Sequence, residues 1–209
     1  MPVVLVVGAS RGIGLGLVDS HLARGWNVHA TTRDGSTPRE DDRIVPHRLE
    51  VRDVEQLREL VESVPVLDRI IHNAGVLRAP RADMMQINTH APIRTVTALV
   101  EAGRIRSGGT VSIMTSQLGA RRGRTGGLGD YGDSKASLND EFRRLAPSWA
   151  ERGAISVVIH PGWVRTDMGG SGAPVSVEES AAGILDVMDR LTPADNGSFL
   201  TWDGRIHPW

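Results

Sequence analysis

Short apolar runs alternate with stretches of helical periodicity along the whole chain. Residues Val3–Val7 form a continuous β-branched run, the pattern of a strand buried on both faces. After it, Ile13, Leu17, Val18 and Leu22 keep helical spacing, and Gly25 is a helix stop. Residues 27–32 predict a second strand. The third, within 43–51, is weaker, because Pro46 interrupts it and argues for a sheet edge. Asp53 is the expected N-cap of an amphipathic helix with Val54, Leu57, Leu60 and Val61 inward. Strands follow at 67–73, 108–116, 154–160 and 197–202, and helices at 82–105, 131–153 and 177–191. The helix from 131 carries Leu138, Phe142, Leu145 and Trp149, and Pro147 is expected to weaken its last turns.

A strand followed by a helix, repeated about six times, is the pattern of an α/β doubly wound parallel sheet with helices on both faces. No internal repeat, low-complexity tract or linker divides residues 1–209, so one domain is expected. Apolar residues make up 40% and charged residues 23%, as in ordinary globular chains. A net charge of −1 carries no footprint for nucleic acid or an anionic membrane. Cysteine is absent, and the seven histidines show no ligand spacing, so no disulfide and no metal site is expected. The opening apolar run is too short for a leader or a membrane span and lacks a basic flank, and a cytoplasmic protein is the expectation.

Chemistry enters first at GASRGIG, which places Gly8, Gly12 and Gly14 between the first strand and the first helix. Glycines there permit a tight turn and close backbone approach, and a helix N-terminus favours a pyrophosphate. The spacing is not the generic dinucleotide fingerprint letter for letter, so the strand-helix context carries the reading. Thr32 and Arg33 end the second strand, with Asp34 one step beyond. An acid at that point would hold a ribose 2′-hydroxyl, whereas arginine accommodates a 2′-phosphate. Arg11 and Arg33 together therefore favour NADP(H) over NAD(H), although Arg33 alone reads as a solvated loop charge.

The second feature is YGDSK. The chain's single tyrosine, Tyr131, stands four residues before Lys135, so a helix stacks the two side chains on one face.

With HNAG (72–75), QIN (86–88), TSQLG (115–119) and HPGWVRTDMGG (160–170), these stretches resemble the short-chain dehydrogenases/reductases along nearly the whole chain. The likeness is greatest to the branch of sniffer-type carbonyl reductases and C-factor-like proteins. It implies a Rossmann-type sheet of about seven strands, a carbonyl substrate (a small aldehyde, ketone or quinone) and NADPH as reductant. Tyr131 would be the general acid. An unperturbed tyrosine titrates near ~10, and Lys135 would lower that value by its charge while binding the nicotinamide ribose. Ser116 would hydrogen-bond the carbonyl. Asn88 would position a water linking Lys135 to solvent, although a bare Asn88 reads equally well as an ordinary polar helix residue.

For the cofactor, the resemblance implies Gly8, Ser10, Arg11, Gly12, Ile13 and Gly14 at the phosphates, and Thr32 and Arg33 at the adenine ribose. Asn73, Ala74 and Gly75 would lie beside that ribose, and Pro161, Gly162, Val164 and Thr166 at the carboxamide. Glu50 and Val51 stand where the family often has Asp-Val at the adenine. His72 and His160 read as structural, His160 as a satisfied strand-end group. Only twelve residues separate Gly75 from Asn88, a shortening that can reshape the helix start. The arginines at 121, 122 and 124 suit an anionic substrate or, as the plainer reading, a solvated lid. A homodimer or homotetramer is expected, with the helices from Ala82 and Tyr131 at the contact. The rival to an enzyme is a cofactor-binding signalling or regulatory protein on the same scaffold.

Overall fold

The computed structural model describes residues 1–122 and 129–209. Seven parallel strands form one sheet: β1 (Val3–Val7), β2 (Asn27–Thr32), β3 (Ile44–Arg48), β4 (Leu67–His72), β5 (Ile105–Met114), β6 (Ile155–His160) and β7 (Ser198–Thr201). Their spatial order is β3-β2-β1-β4-β5-β6-β7. Six α-helices connect them: α1 (Gly12–Ala23), α2 (Val54–Ser63), α3 (Arg81–Met85), α4 (Ala91–Glu101), α5 (Gly129–Glu151) and α6 (Val177–Arg190). A π-helical turn, Gln86–His90, joins α3 to α4.

The alternation of side chains along each strand divides the core in two. Val4 and Val6 of β1 join Leu17 and Val18 of α1 and Ile184 and Leu185 of α6 on one face. Leu5 and Val7 join Leu57 and Leu60 of α2, Leu99 of α4, and Phe142 and Trp149 of α5 on the other. Ile70 and Ile71 of β4 split between the two faces in the same way. Both faces are covered, which is why these strands read as unbroken apolar runs.

Pro46 lies in β3, the edge strand, as its missing donor requires. Asp53 caps α2, accepting from the N–H groups of Glu55 and Gln56. Three expectations need correction. Val54 is 57% exposed rather than inward, because it is the first helical residue, whereas Leu57 and Leu60 are buried and Val61 packs against the core. Pro147 does not loosen α5, which runs on to Glu151. Both Pro147 and Arg143, whose carbonyl loses its helical partner, face solvent, where an unpaired carbonyl costs little. On α5, expected at a subunit contact, three of the four large apolar residues are spent on the core, since Leu138, Phe142 and Trp149 are at most 2% exposed. Of the four, only Leu145 stays near the surface.

Among the described residues no helix is long and apolar enough to cross a membrane. No group of three or more histidine, aspartate or glutamate side chains there is arranged to hold a metal ion.

Candidate active site

Connections from β1 and β4 leave on opposite faces of the sheet, which opens a crevice beyond the carboxyl ends of these two neighbours. The glycine turn lines it. Gly8 has φ +83°, and a Cβ there would meet Ala74 at 2.8 Å. A Cβ on Gly14 would stand 2.0 Å from the Gly8 carbonyl, so the turn closes only with glycine. Asn73 Nδ2 donates to the Gly8 carbonyl at 2.8 Å, and Gly8 N donates to Thr31 Oγ1 at 3.0 Å. This fixes the turn between β2 and β4. Aspartate caps α2 and Ser176 caps α6, but α1 has neither a side-chain cap nor an acid in its first turn. Its leading N–H groups suit the phosphates of a dinucleotide.

Ser10 is exposed at this mouth and Ile13 half-buried. Arg11 is exposed and pairs with Asp167 at 2.8 Å. Thr32 is buried, its hydroxyl donating to Asp34 and to the Ser36 carbonyl, while Arg33 is exposed beside it. Hydrogen bonds from Ser36 and then Thr32 hold the Asp34 carboxyl down at about 2. Glu50 turns its carboxylate to Arg52, and Val51 is buried. The segment after β6 reaches the same turn. The Thr166 methyl lies 3.2 Å from where a Gly12 Cβ would stand. Gly162 has φ +91°, Pro161 O accepts from Ser180, and Val164 is buried. The glycine turn, Asn73, Ala74 and Thr166 thus form one cradle at an uncapped helix N-terminus, and these groups fit the phosphates of a dinucleotide.

The acid-base set stands at the end of β5. Lys135 is 5% exposed, and its Nζ donates to the Met114 carbonyl at 2.9 Å. Burial, with no carboxylate to oppose it, lowers its pKa to about 8. Asn88 Oδ1 and Lys135 Nζ lie 3.2 and 3.6 Å from the point where a Gly75 Cβ would stand. The absent side chain keeps the space between them open.

Asn88 sits in the π turn, a distortion that re-aims side chains. Its Oδ1 accepts from Val76 N at 2.8 Å, and its Nδ2 donates to Val76 O and to Ser134 Oγ. These bonds fix the chain beyond Gly75. The shortened segment keeps its helix, which starts at Arg81.

Ser116 is 7% exposed, and its Oγ accepts from Leu118 N at 3.2 Å. Burial pushes the Tyr131 phenol above its ordinary value, and a hydrogen bond from Ser116 opposes that push. The Lys135 ammonium, one turn along the helix, is turned to the Met114 carbonyl.

Two histidines differ from one another. His72 is 1% exposed, neither ring nitrogen has a partner, and burial, followed by the Lys135 charge, lowers it to about 3. His160, expected to be satisfied, leaves Nδ1 unpartnered, and burial lowers it to about 4. Arg121 pairs with Asp140, while Arg122 donates its backbone N–H to the Trp209 carbonyl; Arg124 lies outside the described residues. Sequence reasoning passed over Asn139, buried on α5 with both ends of its amide engaged. The available signal was a polar residue one turn beyond Lys135 between the apolar Leu138 and Phe142.

A family model described as short chain dehydrogenase matches residues 2–174. C-signal of Myxococcus xanthus is 34% identical over 154 residues, which span 68% of this chain and 93% of that protein. Among solved structures, the carbonyl reductase Sniffer of D. melanogaster superposes with a TM-score of 0.89 at 28% identity, covering 100% of each chain. A carbonyl reductase of Pseudomonas aeruginosa PAO1 in complex with NADP does so with a TM-score of 0.85 at 34% identity, also over 100% of each.

Proposed function

The chain belongs to the short-chain dehydrogenase family, and from that premise we propose that it is an NADPH-dependent carbonyl reductase of small aldehydes, ketones or quinones. The observation that carries the reading is Lys135, a buried cation without a carboxylate, one turn from Tyr131 and at the end of the strand that leads to Ser116.

A nicotinamide cofactor held in the cradle would supply the hydride for the carbonyl carbon. Tyr131 Oη gives its proton to the carbonyl oxygen, completing the alcohol. A phenol held above its ordinary value keeps that proton near neutral pH, which suits an acid in the direction of reduction. Ser116 Oγ donates to the same oxygen and steadies its developing charge. The Lys135 N–H groups not given to Met114 bind the ribose hydroxyls, and its charge supports the phenolate left behind. Asn88 keeps the chain beyond Gly75 in place beside it.

Gly8, Ser10, Gly12, Ile13 and Gly14 hold the phosphates. Arg11 and Arg33 meet the 2′-phosphate, Arg11 by leaving Asp167. Glu50, Val51 and residues 73–75 flank the adenosine, and Pro161, Gly162, Val164 and Thr166 the carboxamide. Residues 1–209 act as one dinucleotide-binding unit in the cytoplasm. It pairs as a homodimer through α4 and α5, whose shared groove presents His90, Arg94, Glu141 and Arg144. Sedimentation with NADPH present should then show twice the monomer mass.

An NADPH-oxidation screen against aldehydes, ketones and quinones, paired with a cofactor titration, tests the reading. Turnover of one class is the expected result. Tight NADPH binding with no turnover of any class would favour the signalling role, which the likeness to C-signal supports.

A further inference from the structure

Asn139 stands on α5 one turn beyond Lys135 and two beyond Tyr131, and is 2% exposed. Thr115 Oγ1 donates to its Oδ1 at 2.6 Å, and its Nδ2 donates to the Gly119 carbonyl at 3.2 Å. Thr115 and Gly119 are the two ends of the turn that carries Ser116. That turn presses on the helix at the lysine itself: a Cβ on Gly119 would lie 2.7 Å from the Lys135 carbonyl carbon. Inside the turn, Leu118 N donates to Ser116 Oγ and Gly119 N to Ser116 O. The serine's placement thus depends on how the two ends are held. A neutral amide is suited to the task, because one planar group supplies an acceptor for the hydroxyl and a donor for the carbonyl.

We propose that Asn139 is a positioning residue, which sets the Ser116 hydroxyl against Tyr131 by clamping both ends of the Thr115–Gly119 turn to the helix that bears Tyr131 and Lys135. The inference rests on the carbonyl-reductase reading. Asn139 touches neither substrate nor cofactor, and it acts only through Ser116. An amide that merely fills the core would influence stability and not the serine's contribution to turnover.

Two substitutions test it. Asn139→Leu keeps the volume and removes both bonds, while Thr115→Val removes only the hydroxyl and keeps the shape. In each, kcat should fall by about tenfold and the carbonyl KM should rise, with NADPH affinity within about twofold of wild type. In a Ser116→Ala background the same substitutions should cost less than about twofold, since the group they position is gone. A loss as large there as in the wild-type background overturns the proposal.

A second readout does not need turnover. Amide exchange at Leu118, Gly119 and Ala120 should quicken by about tenfold in both variants, with the α5 amides unchanged. Unchanged exchange overturns the clamp even if the wild-type protein reduces no carbonyl, a result that would by itself sink only the enzyme reading. Should Asn139→Leu fail to fold, Thr115→Val decides.

Discussion

Two cations are buried against this sheet to nearly the same depth, and they are treated in opposite ways. Arg69, 4% exposed near the start of β4, is fully met. Its Nη2 pairs with Asp189 at 2.7 Å, its Nε donates to Thr110 at 3.2 Å, and its guanidinium lies 4.6 Å from the Trp26 ring centroid. His21 completes the set. Its Nδ1 must donate to the Leu17 carbonyl, so the neutral ring offers Nε2 to Arg69 Nη1 at 3.3 Å. Burial keeps that ring neutral by lowering its pKa to about 3.

Lys135, 5% exposed at the other end of the sheet, has among the described residues the Met114 carbonyl alone. A buried charge left wanting is costly, and a chain able to build the Arg69 network could have satisfied the lysine too. The comparison separates the end of the sheet that holds the fold from the end at which the chemistry is proposed.

The sharpest way to break the comparison is to neutralise each cation in turn. Lys135→Met should lower turnover by about a thousandfold or more, while leaving apo stability unchanged or raised by ~1 kcal/mol, because an unpaired buried charge is removed. Thermal melts beside steady-state rates would show a contradiction if stability fell instead.

At the same end lie the exposed cations of the cradle. Thr32→Asp with Arg33→Ala should shift the NADPH/NADH preference toward NADH by about a hundredfold. Equal dissociation constants for the two cofactors in the unmodified protein would contradict the roles of Arg11 and Arg33.

Arg69→Met should do the reverse of Lys135→Met, with kcat within about twofold and stability lower by ~2 kcal/mol. The loss is modest because Asp189 is 41% exposed and still pairs with Arg24. In a domain this size the melting temperature should drop by about 4–8 °C.

The smallest effect is the pH dependence. Lys135 has a folded pKa of about 8 against an ordinary 10.5, so between these values the unfolded chain binds more protons than the folded one. Apo stability should therefore rise with pH from about 8 to 10, by ~1–2 kcal/mol relative to Lys135→Met. A flat difference between the two proteins across that window would place the lysine in a wetter or better-paired setting.

Much of this division was legible in the chain. The unbroken run at Val3–Val7, the proline that consigns β3 to the edge and the Asp53 cap each follow from local chemistry, and each is present. The order of the glycine turn, Ser116, Tyr131 and Lys135 along the chain puts these residues beyond the carboxyl ends of the strands, which is where they lie.

What was not legible depends on partners distant in sequence. Arg69 in β4 looks like an anomaly until Asp189, 120 residues on, is brought to it. Arg11 looks free for a phosphate until Asp167 is found beside it. The π turn at Asn88 has no local signature, because it is Val76 and Ser134 that draw the amide in. The phenol's upward shift could not be read from a tyrosine and a lysine four residues apart, since its largest cause is burial, which only the folded chain creates.

The central claim is that the unsatisfied end of the sheet performs proton and hydride chemistry on a carbonyl. Single-turnover oxidation of bound NADPH in wild type and Tyr131→Phe, with cofactor affinity measured in the same samples, tests it most directly. The account predicts a rate lower by at least about a hundredfold in Tyr131→Phe with affinity unchanged within about twofold. A variant that keeps more than about a tenth of the wild-type rate, a loss of less than ~1.4 kcal/mol, would contradict it.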